Sequence, residues 1–224
     1  MRCWPTGCCS GALSGEEAGV GAPGDSASVE LSDGEIRLRP PLEEDAAEIA
    51  RAVQSSLEEL SRWMPWAVEG YDAGMALAWI RGKFDPTGEN FLILGPDCEI
   101  VGTCGLNRFD PTNARAELGY WLRSDRTGRG FATRATRLVA RYGIEELGLH
   151  RIEIIMSTRN DPSRRVAERV GARHEGVLHG RIRLPDGQHD GHMYSIVADE
   201  RTGGVPNHVD EPGTARIPAG QGRE

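Results

Sequence analysis

At the centre of the chain lies ARAELGYWLRSDRTGRGFATR, residues 114–134. A run with strand character, Ala114 to Leu122, passes through a polar turn into the glycine corner Gly128-Arg129-Gly130, which opens onto an amphipathic segment beginning at Phe131. Strand, glycine turn and helix in that order build a seat for an anion. Glycine lets the backbone approach a ligand closely, and the first-turn N–H groups of a helix, aided by its dipole, favour phosphate or pyrophosphate. Arg123, Arg126, Arg129, Arg134, Arg137 and Arg141 crowd the same stretch. They fit either a solvated helix face, in a chain whose only lysine is Lys83, or a local basic mouth for a polyanionic cofactor. The glycine corner beside them favours the mouth.

Upstream, Ile36 and Leu38 alternate with charged neighbours and predict a strand closed by Pro40-Pro41. Ala46, Ile49, Ala50, Val53, Leu57 and Leu60 recur at helical spacing and predict one helix over 42–63, with Glu43, Glu44 and Asp45 at its positive end. Trp63-Met64-Pro65-Trp66 ends it, as core filler or as the wall of a cleft. A second helix over 71–84 follows, then a hairpin of 91–94 and 100–106, so that the central strand completes an antiparallel meander. Downstream, Phe131, Ala135, Leu138, Val139 and Tyr142 form one apolar helical stripe. HRIEIIM, 150–156, predicts a strand; Asn160 or Asp161 caps a short helix to Val170; and 174–184 with 189–197 predicts a closing hairpin.

Composition narrows the class. The chain has 224 residues, and 30–199 suffices for one domain; 1–29 and 200–224, rich in Gly, Pro, Ser and acids, are expected to be disordered. A net charge of −8 argues against a general nucleic-acid binder. No segment approaches the roughly 20 apolar residues of a membrane span, and Pro5, Gly7, Ser10 and Gly11 interrupt any signal-peptide core. The five cysteines, three in the leader (Cys3, Cys8, Cys9) and two single ones (Cys98, Cys104), have neither metal-ligand nor redox spacing. No metal site is expected, and a reducing cytoplasm is the simplest home. The arginine bias suggests a GC-rich bacterial source.

The glycine corner is not a Walker loop, which needs Gly-Lys-Ser/Thr. It is not a dinucleotide fingerprint either, because Thr133 stands where the last glycine belongs. RTGRGFAT, the preceding AELGYWL, and the later NDPSRRVAERVGARHEG followed by HDGHMYS resemble the GNAT superfamily of acyl-CoA N-acyltransferases, over about residues 34–198 and in consistent order. NRFDPTNARAELGYWL resembles the RimJ/RimL branch, which acetylates N-terminal amines of ribosomal proteins.

The resemblance implies an α/β (α+β) fold with a mixed, mostly antiparallel sheet flanked by helices, and a splayed strand pair holding acetyl-CoA. It implies backbone contacts from Leu122 and Arg123 to pantetheine and from Gly128, Arg129, Gly130, Phe131, Ala132 and Thr133 to pyrophosphate, with Asn160 and Ser163 beside the thioester. The first position of the family's phosphate motif, Gln or Arg elsewhere, is Thr127 here, with Arg126 next to it. It also implies acceptor-side roles for Trp63, Trp66, Asn107, Arg108 and Tyr194.

Acetyl transfer to an amine requires a free lone pair, donors for an oxyanion, and a proton for the departing thiolate. The expected oxyanion donor is the Leu122 N–H. The tyrosine that serves many members as acid is replaced by Ala167, leaving Ser163. Glu117, sharing a strand face with Gly119 and Trp121, is the candidate base, Asp190 and His192 are its rivals, and a structural pairing with an arginine such as Arg108 is the alternative role. Ile182 stands where some members carry a carboxylate. The expected reaction is direct transfer from acetyl-CoA to a primary amine, foremost a protein N-terminus, by a monomer or homodimer. A small-molecule amine, or a non-catalytic acyl-CoA-binding module, stands as the alternative.

Overall fold

The computed structural model describes residues 29–198. The leader expected at 1–29 (Val29 apart), the tail at 200–224, and Cys3, Cys8 and Cys9 lie outside the described residues. Eight strands form one mixed sheet: β1 (Leu31–Ser32), β2 (Arg37–Arg39), β3 (Glu89–Leu94), β4 (Ile100–Asp110), β5 (Arg115–Leu122), β6 (Arg151–Ser157), β7 (Arg173–Leu184) and β8 (Gly187–Val197). Their spatial order is β1-β2-β3-β4-β5-β6-β8-β7, and every neighbouring pair is antiparallel except β5 with β6.

Period-two alternation sends the apolar side chains of these strands to both faces, and helices cover each. Phe91, Ile93, Leu106, Leu118, Ile152 and Ile154 pack with Ala135, Leu138, Val139 and Tyr142 of α4 (Phe131–Glu145) and with Ala167 of α5 (Asp161–Arg169). Leu92, Leu94, Ile100 and Trp121 pack on the other face with Ile49, Ala50 and Val53 of α1 (Ala46–Gln54), Leu60 of α2 (Leu57–Leu60) and Ala76 of α3 (Ala73–Ile80).

The single helix expected over 42–63 is broken into a 3₁₀ turn at 43–45, α1 and α2. Ser55 Oγ donates to the Ala52 carbonyl, and Ser56 leaves helical geometry (φ −121°, ψ 11°) so that its hydroxyl accepts the Ser124 N–H at 2.9 Å. Because α2 still buries Leu60, the apolar spacing runs through the break unchanged. The partner that draws Ser56 out lies 68 residues away, beyond the reach of a local pattern.

The feature that positions the site is the shortness of the parallel pairing. Arg115, Ala116 and Glu117 pair with Arg151, Ile152 and Glu153, and there the ladder stops. Beyond it β5 keeps its partner β4 through Leu122 and β6 keeps β8 through Ser157, so the two strands part and a notch opens. Arg123 N–H donates to the Val101 carbonyl at 2.8 Å, which sets the antiparallel alternation. Odd-numbered residues of β5 bond to β4, and beyond the end of the parallel ladder the main-chain groups of Tyr120 and Leu122 point into the notch.

The far side of the sheet is pinned electrostatically. Arg151 on β6 reaches Glu175 on β7 with two hydrogen bonds (2.8 and 2.5 Å), and Ser195 on the intervening β8 donates to Glu175 at 2.6 Å. Arg151, then Ser195, pull the Glu175 carboxyl down from 4.5 to about 2. A depressed carboxyl contributes stability above its unfolded value and loses it as pH falls through the folded one. Stability should therefore decline between pH 4.5 and about 2, and Glu175→Gln should flatten that part of the curve, as read by urea titration across the window.

Candidate active site

The turn after β5 ends in two residues of left-handed conformation, Gly128 (φ 75°) and Gly130 (φ 83°). L side chains rarely adopt this geometry, so the corner requires glycine. Nothing lies within 4 Å of where a Cβ would stand at either position, so the space above the corner is open. Gly130 is the N-cap of α4 and offers no side-chain cap; Arg134 N–H bonds back to its carbonyl at 3.0 Å. The N–H groups of Phe131, Ala132 and Thr133 have no acceptor among the described residues, while their side chains are buried and anchor the turn. Free donors at a helix N-terminus are an arrangement that can seat an anion.

The basic mouth expected there is smaller than six arginines. Arg123 pairs with Asp125 (2.9 Å), Arg126 with Glu99 (3.4 Å), and Arg134 with both Asp33 (2.7 Å) and Glu35 (2.8 Å). Arg137 donates to the Arg169 carbonyl. At the corner itself, Arg129 is the exposed guanidinium without a carboxylate partner among the described residues. Arg126, turned to Glu99, does not stand in for the residue that Thr127 replaces; Thr127 Oγ1 donates to the Ser124 carbonyl at 3.0 Å.

The notch itself is a cavity of about 490 Å³. Asn160 caps α5, accepting the Ser163 N–H at 3.1 Å, and this cap sets Ser163 at the cavity wall. Tyr120 comes from β5 to meet it, hydroxyl to hydroxyl at 2.8 Å. Burial pushes the Tyr120 phenol well above its ordinary range, the Ser163 contact opposing only in part, so the phenol holds its proton. The sequence offered no route to Tyr120: its partner is 43 residues away, and strand period alone does not bring them together. Glu117 is the one carboxylate lining the cavity, held by Arg108 (3.2 Å) and by Arg181 (3.7 Å). The pairing with Arg108 considered from the sequence is thus present.

Trp63 and Arg108 line this cavity, and Trp66 and Asn107 line a second one of about 430 Å³ that shares Met64, Gly119 and Tyr120 with it. Tyr194 joins neither. Glu117 is in register with Glu153, and Glu153 with Ser195, so Ser195 shares the face of Glu117 and Tyr194 takes the opposite one. There its hydroxyl contacts Glu168 of α5 at 3.3 Å. The rival bases are equally remote. His192 packs against His174 (3.1 Å) beside Tyr194, and Asp190 accepts the Gly180 N–H at 2.7 Å in the hairpin.

Residues 35–173 match the profile of the acetyltransferase (GNAT) domain. The chain belongs to the GNAT acetyltransferases. It is 31% identical over 173 residues, 75% of this chain and 93% of the relative, to YdaF of Bacillus subtilis (strain 168), named by inference as a ribosomal N-acetyltransferase. It is 27% identical over 144 residues (64% of this chain, 75% of the relative) to the spermidine N(1)-acetyltransferase of Escherichia coli (strain K12). The structure of Mycobacterium smegmatis RimJ in complex with CoA-disulfide superimposes with a TM-score of 0.67 at 28% identity, covering 76% of this chain and 86% of that one. This GNAT protein is thus an acetyl-CoA-dependent acetyltransferase of RimJ/RimL-like type. Among the described residues, no helix is long and apolar enough to cross a membrane.

Gly130→Ala would force an alanine into left-handed geometry, at a cost of about 1–2 kcal/mol. The melting temperature should drop by about 2–4 °C per kcal/mol, and the stabilisation given by acetyl-CoA should shrink. Arg129→Ala should leave Tm unchanged and raise only the KM for acetyl-CoA.

Proposed function

We propose that the protein acetylates the N-terminal α-amine of a protein acceptor, with acetyl-CoA and acceptor bound together. The observation that carries this reading is the notch: two strands part, a carboxylate lines the opening, and the strand that forms one wall leads through the glycine corner into an uncapped helix N-terminus. These residues fit acetyl-CoA. The free N–H groups of Phe131, Ala132 and Thr133, with Arg129, suit a pyrophosphate; the notch-facing main chain of Tyr120 and Leu122 suits the amides of pantetheine, whereas Arg123, expected to share that role, has its N–H on the Val101 carbonyl and its own carbonyl on the Arg126 N–H.

When bound, acetyl-CoA supplies a thioester activated toward an amine. The Leu122 N–H, aimed into the notch, stabilises negative charge developing on the acyl oxygen. Ser163 would give its proton to the departing sulfur and regain one from Tyr120 across their 2.8 Å contact, Tyr120 taking its own back from water in the notch, so that no phenolate is left. Glu117, fixed by Arg108 and Arg181, takes the proton released by the attacking amine through water.

A polyamine acceptor, suggested by the spermidine relative, fits less well. Arg108, Arg181 and Arg183 line the notch, and its one carboxylate is already engaged by two of them. A polycation meets repulsion there, whereas a peptide N-terminus brings one amine that can arrive neutral.

Intact-mass measurement on peptides with free N-termini should show a single acetyl added at the α-amine. Acetylation of spermidine or other small amines with no peptide product would overturn the reading. Ser163→Ala and Tyr120→Phe should each lower kcat about 10²-fold with little change in the KM for acetyl-CoA.

A further inference from the structure

On the face of the sheet that carries Glu117, the register sets Gly105 directly opposite Gly119. Nothing lies within 4 Å of a Cβ built on Gly119, whereas one built on Gly105 would meet Asn90 Oδ1 and the Glu89 carbonyl at 2.7 Å, so the open part of the floor is at Gly119. The result is the second cavity of about 430 Å³, floored by these glycines and walled by Trp66, Trp79 and Trp121 with Met75 from α3. Trp66 is tilted against Trp121 with ring centroids 6.0 Å apart. No charged side chain lines it. Its polar groups are few, and the side-chain amides of two of them, Asn90 and Asn107, have no hydrogen-bond partner among the described residues.

This cavity borders the notch, sharing Met64, Gly119 and Tyr120 with it, beside the place where the acceptor amine must arrive. We infer that it receives the side chain of the acceptor's first residue and selects a bulky apolar one, aromatic or long aliphatic, while the free amides of Asn90 and Asn107 bind the first peptide group. The inference rests on the N-terminal-amine reading given above. A charged side chain would lose its hydration in this lining without a counter-charge, and a small one would leave the floor uncovered. A hydrophobic pocket discriminates by about 10–200-fold per methylene-sized step, so the selectivity is measurable.

The test is a set of peptides that differ only in the first residue (Phe, Leu, Met, Ala, Ser, Glu, Lys), assayed by kcat/KM with acetyl-CoA, beside spermidine and beside hexanoyl-CoA as donor. Phe, Leu and Met should exceed Ala and Ser by tenfold or more. Gly119→Val, which raises the floor, should lower the Phe-to-Ala ratio at least tenfold, and Met75→Trp, which fills the cavity from the helix side, should do the same. Peptide turnover that is indifferent to the first residue, or favours Ala, Ser or a charged one, would overturn the pocket and leave the N-terminal reading standing. So would an unchanged ratio in both variants, or faster turnover of hexanoyl-CoA, which would make the cavity a seat for the acyl chain. Turnover of spermidine with no peptide product, or no turnover with any amine, would remove the N-terminal reading and the pocket with it.

Discussion

Backbone N–H and C=O groups inside a sheet ordinarily find partners, and the whole site depends on the place where that rule is suspended. The β5–β6 ladder ends after Glu117 and Glu153, leaving facing main-chain groups unpaired. The strands cannot close again, because each is committed elsewhere: β5 to β4 as far as Leu122, and β6 to β8 as far as Ser157. The Tyr120–Ser163 contact bridges the opening at a fixed width. The segment Trp63-Met64-Pro65 lines it from the side of α1 and α2. The notch is therefore a preformed gap held by structure outside it, which is what positioning catalysis requires.

The seat for the anionic end follows from a second constraint, the handedness of L-residues. With Gly128 and Gly130 in left-handed geometry, the turn can deliver the chain into α4 with no side chain over the first helical turn. Attraction then comes chiefly from aligned N–H groups and one exposed arginine rather than from a broad basic surface. That arrangement suits a chain of net charge −8.

What the sequence made legible was local. The glycine corner, the Asn160 cap and the apolar stripe of α4 each depend on residues within a turn or two, and each is present. What it hid was long-range. The partners of Arg134 and Arg126, namely Asp33, Glu35 and Glu99, are distant along the chain, so a cluster of arginines read as free charge when half of it is neutralised. Tyr194 failed for a related reason: alternation shows that neighbours face opposite ways, but only the register through β6 says which way faces the notch. The place of Tyr120 was invisible because its contact depends on a hydroxyl contributed by another element.

Alternation along β5 has one more consequence. Even-numbered residues turn their main chain toward the notch, whereas Glu117, Gly119 and Trp121 present side chains, or the lack of one, to the face that the proposed function gives to the acceptor. The two tasks are written on interleaved positions of a single strand, one in backbone and the other in side chains. On the proposed reading, acceptor range can drift across a lineage by substitution at odd positions while the thioester end stays as it was, so one scaffold can give rise to enzymes for many amines without reinventing the chemistry.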